Sequence, residues 1–217
     1  SQENMKEIIN MERRPVFRVI NECPFCEVCE TEFLMMRGYS FGEKQESIIN
    51  LHKAYLKNHK QAKVLEISSK SQMVIGKELS AFNLKTIYEG KKISVECAFQ
   101  GSKVFEKGGP YTDLYMKPSI EAKKDRRLRE SGKLIKFVYK NEEYPLEPKD
   151  FFYNWIYINA LYGNEQLAQK VQMYDSFTDI EFNPQRSINC QARAVAIYVG
   201  LVRNSRINDA LKSVHDF

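Results

Sequence analysis

The sequence predicts a mainly helical α+β domain with small antiparallel β elements. Three observations carry that prediction. Residues 43–60 place Ile48, Leu51, Tyr55 and Leu56 at helical spacing, with charge on the opposite face. Residues 85–94 set Ile87-Tyr88 and Ile93 on either side of Glu89-Gly90, a hairpin pattern. Residues 187–202 are rich in alanine and valine, as a buried helix is.

The remaining elements follow in order. Residues 11–37 read as extended chain around a turn, with Pro15, Phe17, Val19 and Ile20 ahead of a cysteine cluster. Residues 64–67 form a short strand, and Ser68, Ser69 and Lys70 offer caps for a helix running to about residue 77. Residues 95–105 read as one helix, stopped by Gly108-Gly109-Pro110. Pro118 opens another to about residue 130, ended near Ser131-Gly132. Residues 134–139 alternate and pair with 143–146. Pro148 opens an aromatic helix through Tyr162, and Asn164 caps the next, which runs to Tyr174. Residues 175–186 read as a polar loop. Ser187 caps the alanine-rich helix, and a short helix follows Asn208. No repeat or linker interrupts this series. Residues 43–217 therefore read as one domain, with residues 1–42 as an accessory segment packed on it.

The chain has 217 residues, enough for one sizeable core. Apolar residues make up 43% and charged residues 28%, ordinary for a folded soluble protein. No apolar run approaches a membrane span, and residues 1–14 hold no signal-peptide core. A cytoplasmic protein without a membrane partner is expected. The net charge of +5 is a mild basic bias, which a soluble surface explains without a nucleic acid.

Five cysteines, an odd number, point to free thiols. Cys23-Pro24-Phe25-Cys26-Glu27-Val28-Cys29 holds two overlapping CxxC spacings of the kind that bind zinc or an iron–sulfur cluster. Such a site would need a fourth ligand from Cys97, Cys190, His52, His59 or His215. No metal or cofactor is expected, and the cysteines are read as reduced thiols.

Four stretches carry chemistry. In residues 95–105, Glu96, Gln100 and Lys103 share one helical face beside an apolar one formed by Val95, Ala98, Phe99 and Phe105. A carboxylate next to an amide and an apolar face suits glycosidic acid–base work, because burial raises its pKa. The bland alternative is a solvated helix face. Ala122-Lys123-Lys124-Asp125-Arg126-Arg127 is a basic cluster that can hold phosphates or present a nucleophilic lysine, and such clusters are also ordinary helix surface. Asp179-Ile180-Glu181-Phe182-Asn183-Pro184, followed by Asn189, can line a cleft or simply be a loop. Ser80-Ala81-Phe82-Asn83 has no generic motif. GxSxG, HExxH, Walker A and GxGxxG patterns are absent.

Taken in order, these stretches resemble the NADAR family, which includes the YbiA-like proteins. Ser80-Ala81-Phe82-Asn83 looks like its Ser-Asn-Phe segment. Glu96-Cys97-Ala98-Phe99-Gln100 resembles its acid-centred helix, and Ala122-Lys123-Lys124 its Ala-Lys-Lys element. Tyr157-Ile158-Asn159-Ala160-Leu161 is similar to its Met-x-x-Ala-Leu helix end. Asp179-Ile180-Glu181-Phe182-Asn183 and Asn189 look like its Asp-x-x-Trp-Gly and downstream asparagine. Residues 65–71, 79–84 and 175–193 also resemble a narrower branch, the NADAR antitoxins encoded beside DarT-type DNA ADP-ribosyltransferase toxins. Phe182 stands where tryptophan is common, Asn183 where glycine is common, and the Ser-Asn-Phe order is altered, which bears on pocket shape.

The resemblance implies an antitoxin ADP-ribosyl glycosidase. It would hydrolyse the N-glycosidic bond between ADP-ribose and guanine in single-stranded DNA, with a DarT-type toxin as a further partner. Glu96 would be the main acid/base, Asp179 its carboxylate partner, and Lys123 or Lys124 the nucleophile. Ser80, Phe82, Asn83, Gln100, Phe182 and Asn189 would line the pocket, and Arg126 and Arg127 would meet phosphates. Two other readings stay open: a small-molecule N-glycosidase acting on a riboflavin-pathway intermediate, and a non-catalytic ADP-ribose or toxin binder.

Overall fold

In the computed structural model, which describes residues 10–213 and 217, the central sheet joins segments far apart in sequence. β1 (Met11–Val19) and β2 (Cys26–Leu34) form an antiparallel hairpin. β3 (Val64–Glu66) forms the opposite edge. Between them runs β9 (Ser176–Thr178), antiparallel to β1 and parallel to β3, so the order is β2-β1-β9-β3. The segment set apart as residues 1–42 thus supplies two of the four strands.

β9 corrects the reading of residues 175–186 as a loop. Its Ser176 and Thr178 are fully buried beside Phe177, because each hydroxyl finds partners inside the protein. Ser176 Oγ donates to Asp175 Oδ1 (2.9 Å) and so accepts from the Tyr55 hydroxyl (2.9 Å). Thr178 Oγ1 donates to Glu66 Oε1 (2.7 Å) and so accepts from His52 Nε2 (2.7 Å). Composition reads such a strand as polar; the hydrogen bonds make it core.

α1 (Phe41–Asn58) starts at a capping box between Ser40 and Glu43 and packs Ile48, Leu51 and Tyr55 with Val16, Phe33 and Ile180. α2 (Val74–Glu78) is shorter than expected. Ser68 and Ser71 accept from the Lys70 and Met73 backbone N–H groups, which holds residues 68–73 in turns rather than helix. β4 (Lys85–Tyr88) and β5 (Lys91–Ser94) form the expected hairpin around Glu89 and Gly90, both at positive φ.

α3 (Val95–Gly101) is capped by Ser94, whose Oγ accepts from Cys97 N at 3.0 Å. It ends at Gly101 rather than running to 105. Gly101 lies flat against the Tyr115 ring, where a Cβ would stand 2.6 Å away, and the next residues form strand β6 (Lys103–Phe105). β6 pairs with β7 (Leu134–Tyr139), which pairs with β8 (Glu142–Tyr144). The expected helix over 118–130 is two, α4 (Ser119–Lys124) and α5 (Arg127–Glu130). The break falls at Asp125, whose carboxylate accepts from Arg127 N at 2.9 Å and so competes with the helix ladder.

α6 (Phe151–Gly163) is the aromatic helix, with Phe152, Tyr153, Ile156 and Tyr157 in the core. α7 (Glu165–Lys170) is capped by Asn164 as expected. α8 (Gln191–Arg203) begins after Cys190 with no side-chain cap, not at Ser187, and α9 (Ile207–Ala210) follows. The whole is an α+β domain. Among the described residues no helix is long and apolar enough to cross a membrane.

Candidate active site

A cavity of about 740 Å³ opens where α3, the loop after α2, the end of β9 and the start of α8 meet. Ser80, Phe82, Glu96, Gln100, Lys123, Asp179, Phe182 and Asn189 all line it, so segments a hundred residues apart come together there. Lys124, Asn83, Arg126 and Arg127 do not. Lys124 is exposed outside the cavity lining, and Asn83 turns its amide back to Lys77 O at 2.8 Å. Arg126 is exposed and paired with Glu130 (3.1 Å), while Arg127 is held by Asp113 (2.7 Å) and Asp125 (2.9 Å). Local acids thus neutralise the two arginines expected to meet phosphates.

Glu96 enters the cavity from the first turn of α3. It is 7% exposed, and its Oε1 accepts from Gln100 Nε2 at 2.9 Å, the i to i+4 contact expected of that face. The backbone behind it is fixed, since Glu96 N donates to Ala81 O at 3.0 Å. The segment around Ser80 therefore has a mechanical task. The Tyr157 hydroxyl donates to Leu79 O, Gln191 Oε1 accepts from Ala81 N, and Ser119 Oγ donates to Phe82 O. These bonds present the Phe82 ring to the cavity, with Lys123 Nζ 5.1 Å from its centroid.

Asp179 leaves the end of β9 buried in the cavity wall. Its Oδ1 accepts from Glu181 N (3.1 Å) and its Oδ2 from Gln191 Nε2 (2.9 Å). Burial raises its carboxyl to about 7, the neighbouring Glu66 charge pushes the same way, and the Gln191 bond opposes both. Glu66 is itself raised by burial, against bonds from Ser68, Ile180 N and Thr178. The cavity wall therefore backs onto two buried carboxyls that resist ionising together. The loop carrying Asp179 is anchored from β1, where Arg14 Nη1 donates to Phe182 O (2.7 Å) and Ile180 O (3.2 Å).

Several residues in or behind the cavity wall were missed from sequence. Gln191 joins Ala81, Ile67 and Asp179 through one amide, a role no local pattern announces. Glu66 had a signal, a lone carboxylate inside the apolar run 64–67. Tyr153, read as core, reaches the cavity and lies in the fields of both Glu96 and Asp179, which with burial push its hydroxyl well up. Lys103, placed on the Glu96 face without a role, also lines the cavity. Burial lowers its ammonium, while Glu96 opposes that shift. Gln100 Oε1 and Asn189 Oδ1 are buried acceptors without a partner in the protein.

The cysteines gather no metal set. Cys23 is exposed, Cys26 and Cys190 are buried, and among the described residues no three His, Cys, Asp or Glu side chains cluster for an ion. His52 sits under β9 and His59 stacks on Tyr55 at 4.2 Å, while His215 lies outside the described residues.

The family model of the DarT1-associated NADAR antitoxin matches residues 12–217, and the chain belongs to that family. The match begins within β1, ahead of the cysteine cluster. No curated protein matches the sequence.

Proposed function

We propose that this antitoxin reverses DNA ADP-ribosylation by hydrolysing the N-glycosidic bond between ADP-ribose and guanine in single-stranded DNA. The observation that carries the reading is the convergence of Glu96, Asp179 and Lys123 on one cavity walled by Ser80, Phe82, Gln100 and Asn189. Breaking such a bond develops positive charge on the sugar and needs a proton for the departing base. Glu96, steadied by Gln100, faces the sugar. Glu96 delivers that proton as the main acid/base, and Asp179, raised to about 7, is its carboxylate partner.

Glu96 takes a proton from the Lys123 ammonium and passes it to the departing guanine, while the freed amine attacks the anomeric carbon. The bond to guanine breaks, a Schiff base to the opened ribose forms, and water then releases ADP-ribose and the free amine. Of the four lysines that line the cavity, Lys70, Lys103, Lys123 and Lys149, two are candidates for this role. Family resemblance favours Lys123, and the depressed ammonium of Lys103 favours that residue as the free amine. Reduction with cyanoborohydride during turnover and peptide mapping separate them: the adduct is expected on Lys123, and an adduct on Lys103 alone would move the nucleophile.

The test of the function is an oligonucleotide carrying one ADP-ribosylated guanine, followed on a denaturing gel with wild type and Glu96→Gln. Loss of the modification with wild type only is expected. No loss with folded wild type overturns the reading.

A further inference from the structure

We infer that a surface next to the cavity mouth, built on Tyr39 and Phe41, is a stacking platform for the DNA strand that flanks the modified base. The inference rests on the proposed action on DNA. Tyr39 is 88% exposed and Phe41 46%, so burial explains neither ring. Each has lysine over its face: Lys44 Nζ lies 5.6 Å from the Tyr39 centroid, while Lys70 and Lys77 lie 5.9 and 5.4 Å from that of Phe41. Aromatic faces interleaved with cations are what a single strand needs, stacking for its bases and positive charge for its phosphates.

The surface is continuous with the cavity and held in place. Lys70 and Glu181 line the cavity, and Lys44 reaches Glu181 at 3.9 Å. Arg186 and Ile188, both exposed, line the same mouth. The rings flank Ser40, whose hydroxyl and backbone are tied to Glu43 in the capping box, so that acid is engaged in the helix start. Gly38 closes the loop against the Glu43 carboxylate, in space that a Cβ would fill. A base seated in the cavity would leave its neighbouring nucleotides beside Lys70 and the two rings.

Two measurements on full-length wild type and the Tyr39→Ala/Phe41→Ala double variant test this. The first is fluorescence anisotropy with an unmodified thymidine oligonucleotide. The second is ADP-ribose release from modified guanine presented as a mononucleotide and within an oligonucleotide. The double variant should bind the oligonucleotide about tenfold more weakly or worse. It should lose a similar factor in kcat/KM on the oligonucleotide, through KM, and keep wild-type release from the mononucleotide, which also shows that it folds. Lys77→Ala should reduce the slope of log affinity against log salt by about 0.7.

Unchanged oligonucleotide binding in the double variant overturns the platform. So does a variant that keeps DNA binding and loses co-purification with the toxin, which would make this a protein interface. If wild type releases ADP-ribose from neither substrate, the glycosidase reading fails, and the anisotropy still decides the platform.

Discussion

Arg126 and Arg127 stand at the start of the short helix α5, where Glu130, Asp113 and Asp125 meet their charges at the surface. Asp179 stands at the end of a buried strand, where burial and the neighbouring Glu66 raise its carboxyl to about 7. The first region is dense in charge and chemically quiet, because water and nearby counter-ions satisfy it. The second holds few charges, each costly to ionise and each fixed by hydrogen bonds from other elements. The perturbed carboxyl here follows desolvation and fixed geometry rather than the number of charged residues.

The sharpest way to break that comparison is on turnover. Glu96→Gln should lower release of ADP-ribose from guanine by about 10²-fold or more, whereas Lys124→Ala and Arg126→Ala should change it by less than about threefold. Comparable losses at both sites would erase the distinction. On stability, Gln191→Ala removes one amide that serves Ala81 N, Ile67 O and Asp179. It should cost about 2–3 kcal/mol in a urea titration, because two buried backbone groups lose their partner. A cost near zero would mean that water replaces the amide fully.

The third prediction concerns pH. The folded pKa of Asp179 lies above its unfolded value, so the folded state holds this proton more tightly. From the unfolded value near 4 up to about 7, this group makes stability fall as pH rises. Asp179→Asn lacks the proton, so its stability relative to wild type should grow by about 2 kcal/mol between pH ~5 and pH ~8. Parallel pH curves for the two proteins would show that Asp179 ionises at an ordinary pH. The smallest effect belongs to the quiet region. Arg127→Ala loses half-exposed ion pairs and a contact 4.4 Å over Tyr111, and should cost under about 1 kcal/mol.

The same contrast explains what could be read from the chain. Local signals spoke for themselves: the positive-φ turn at Glu89-Gly90, the Asn164 cap and the apolar face of α1 each follow from neighbouring residues. The pairing of Glu96 with Gln100 was equally local, four residues apart on one helix. β9 escaped because Ser176 and Thr178 are polar by composition and become core only through Tyr55, His52 and Glu66, more than a hundred residues away. The split of α4 from α5 turned on one Asp125 carboxylate that prefers a backbone N–H to a helical turn.

By itself the sequence determined an α+β domain, the placing of most helices, and the ordered stretches around Ser80, Glu96, Lys123 and Asp179 that resemble NADAR proteins. Spacing of apolar residues and local caps fix these over a few turns of chain. Tertiary structure alone decided that Lys123 faces the cavity and Lys124 does not, that Gln191 holds Asp179 while the Glu66 charge raises it, and that the N-terminal hairpin anchors that loop through Arg14. Those facts depend on burial and on bonds between distant strands, and neither exists until the sheet closes.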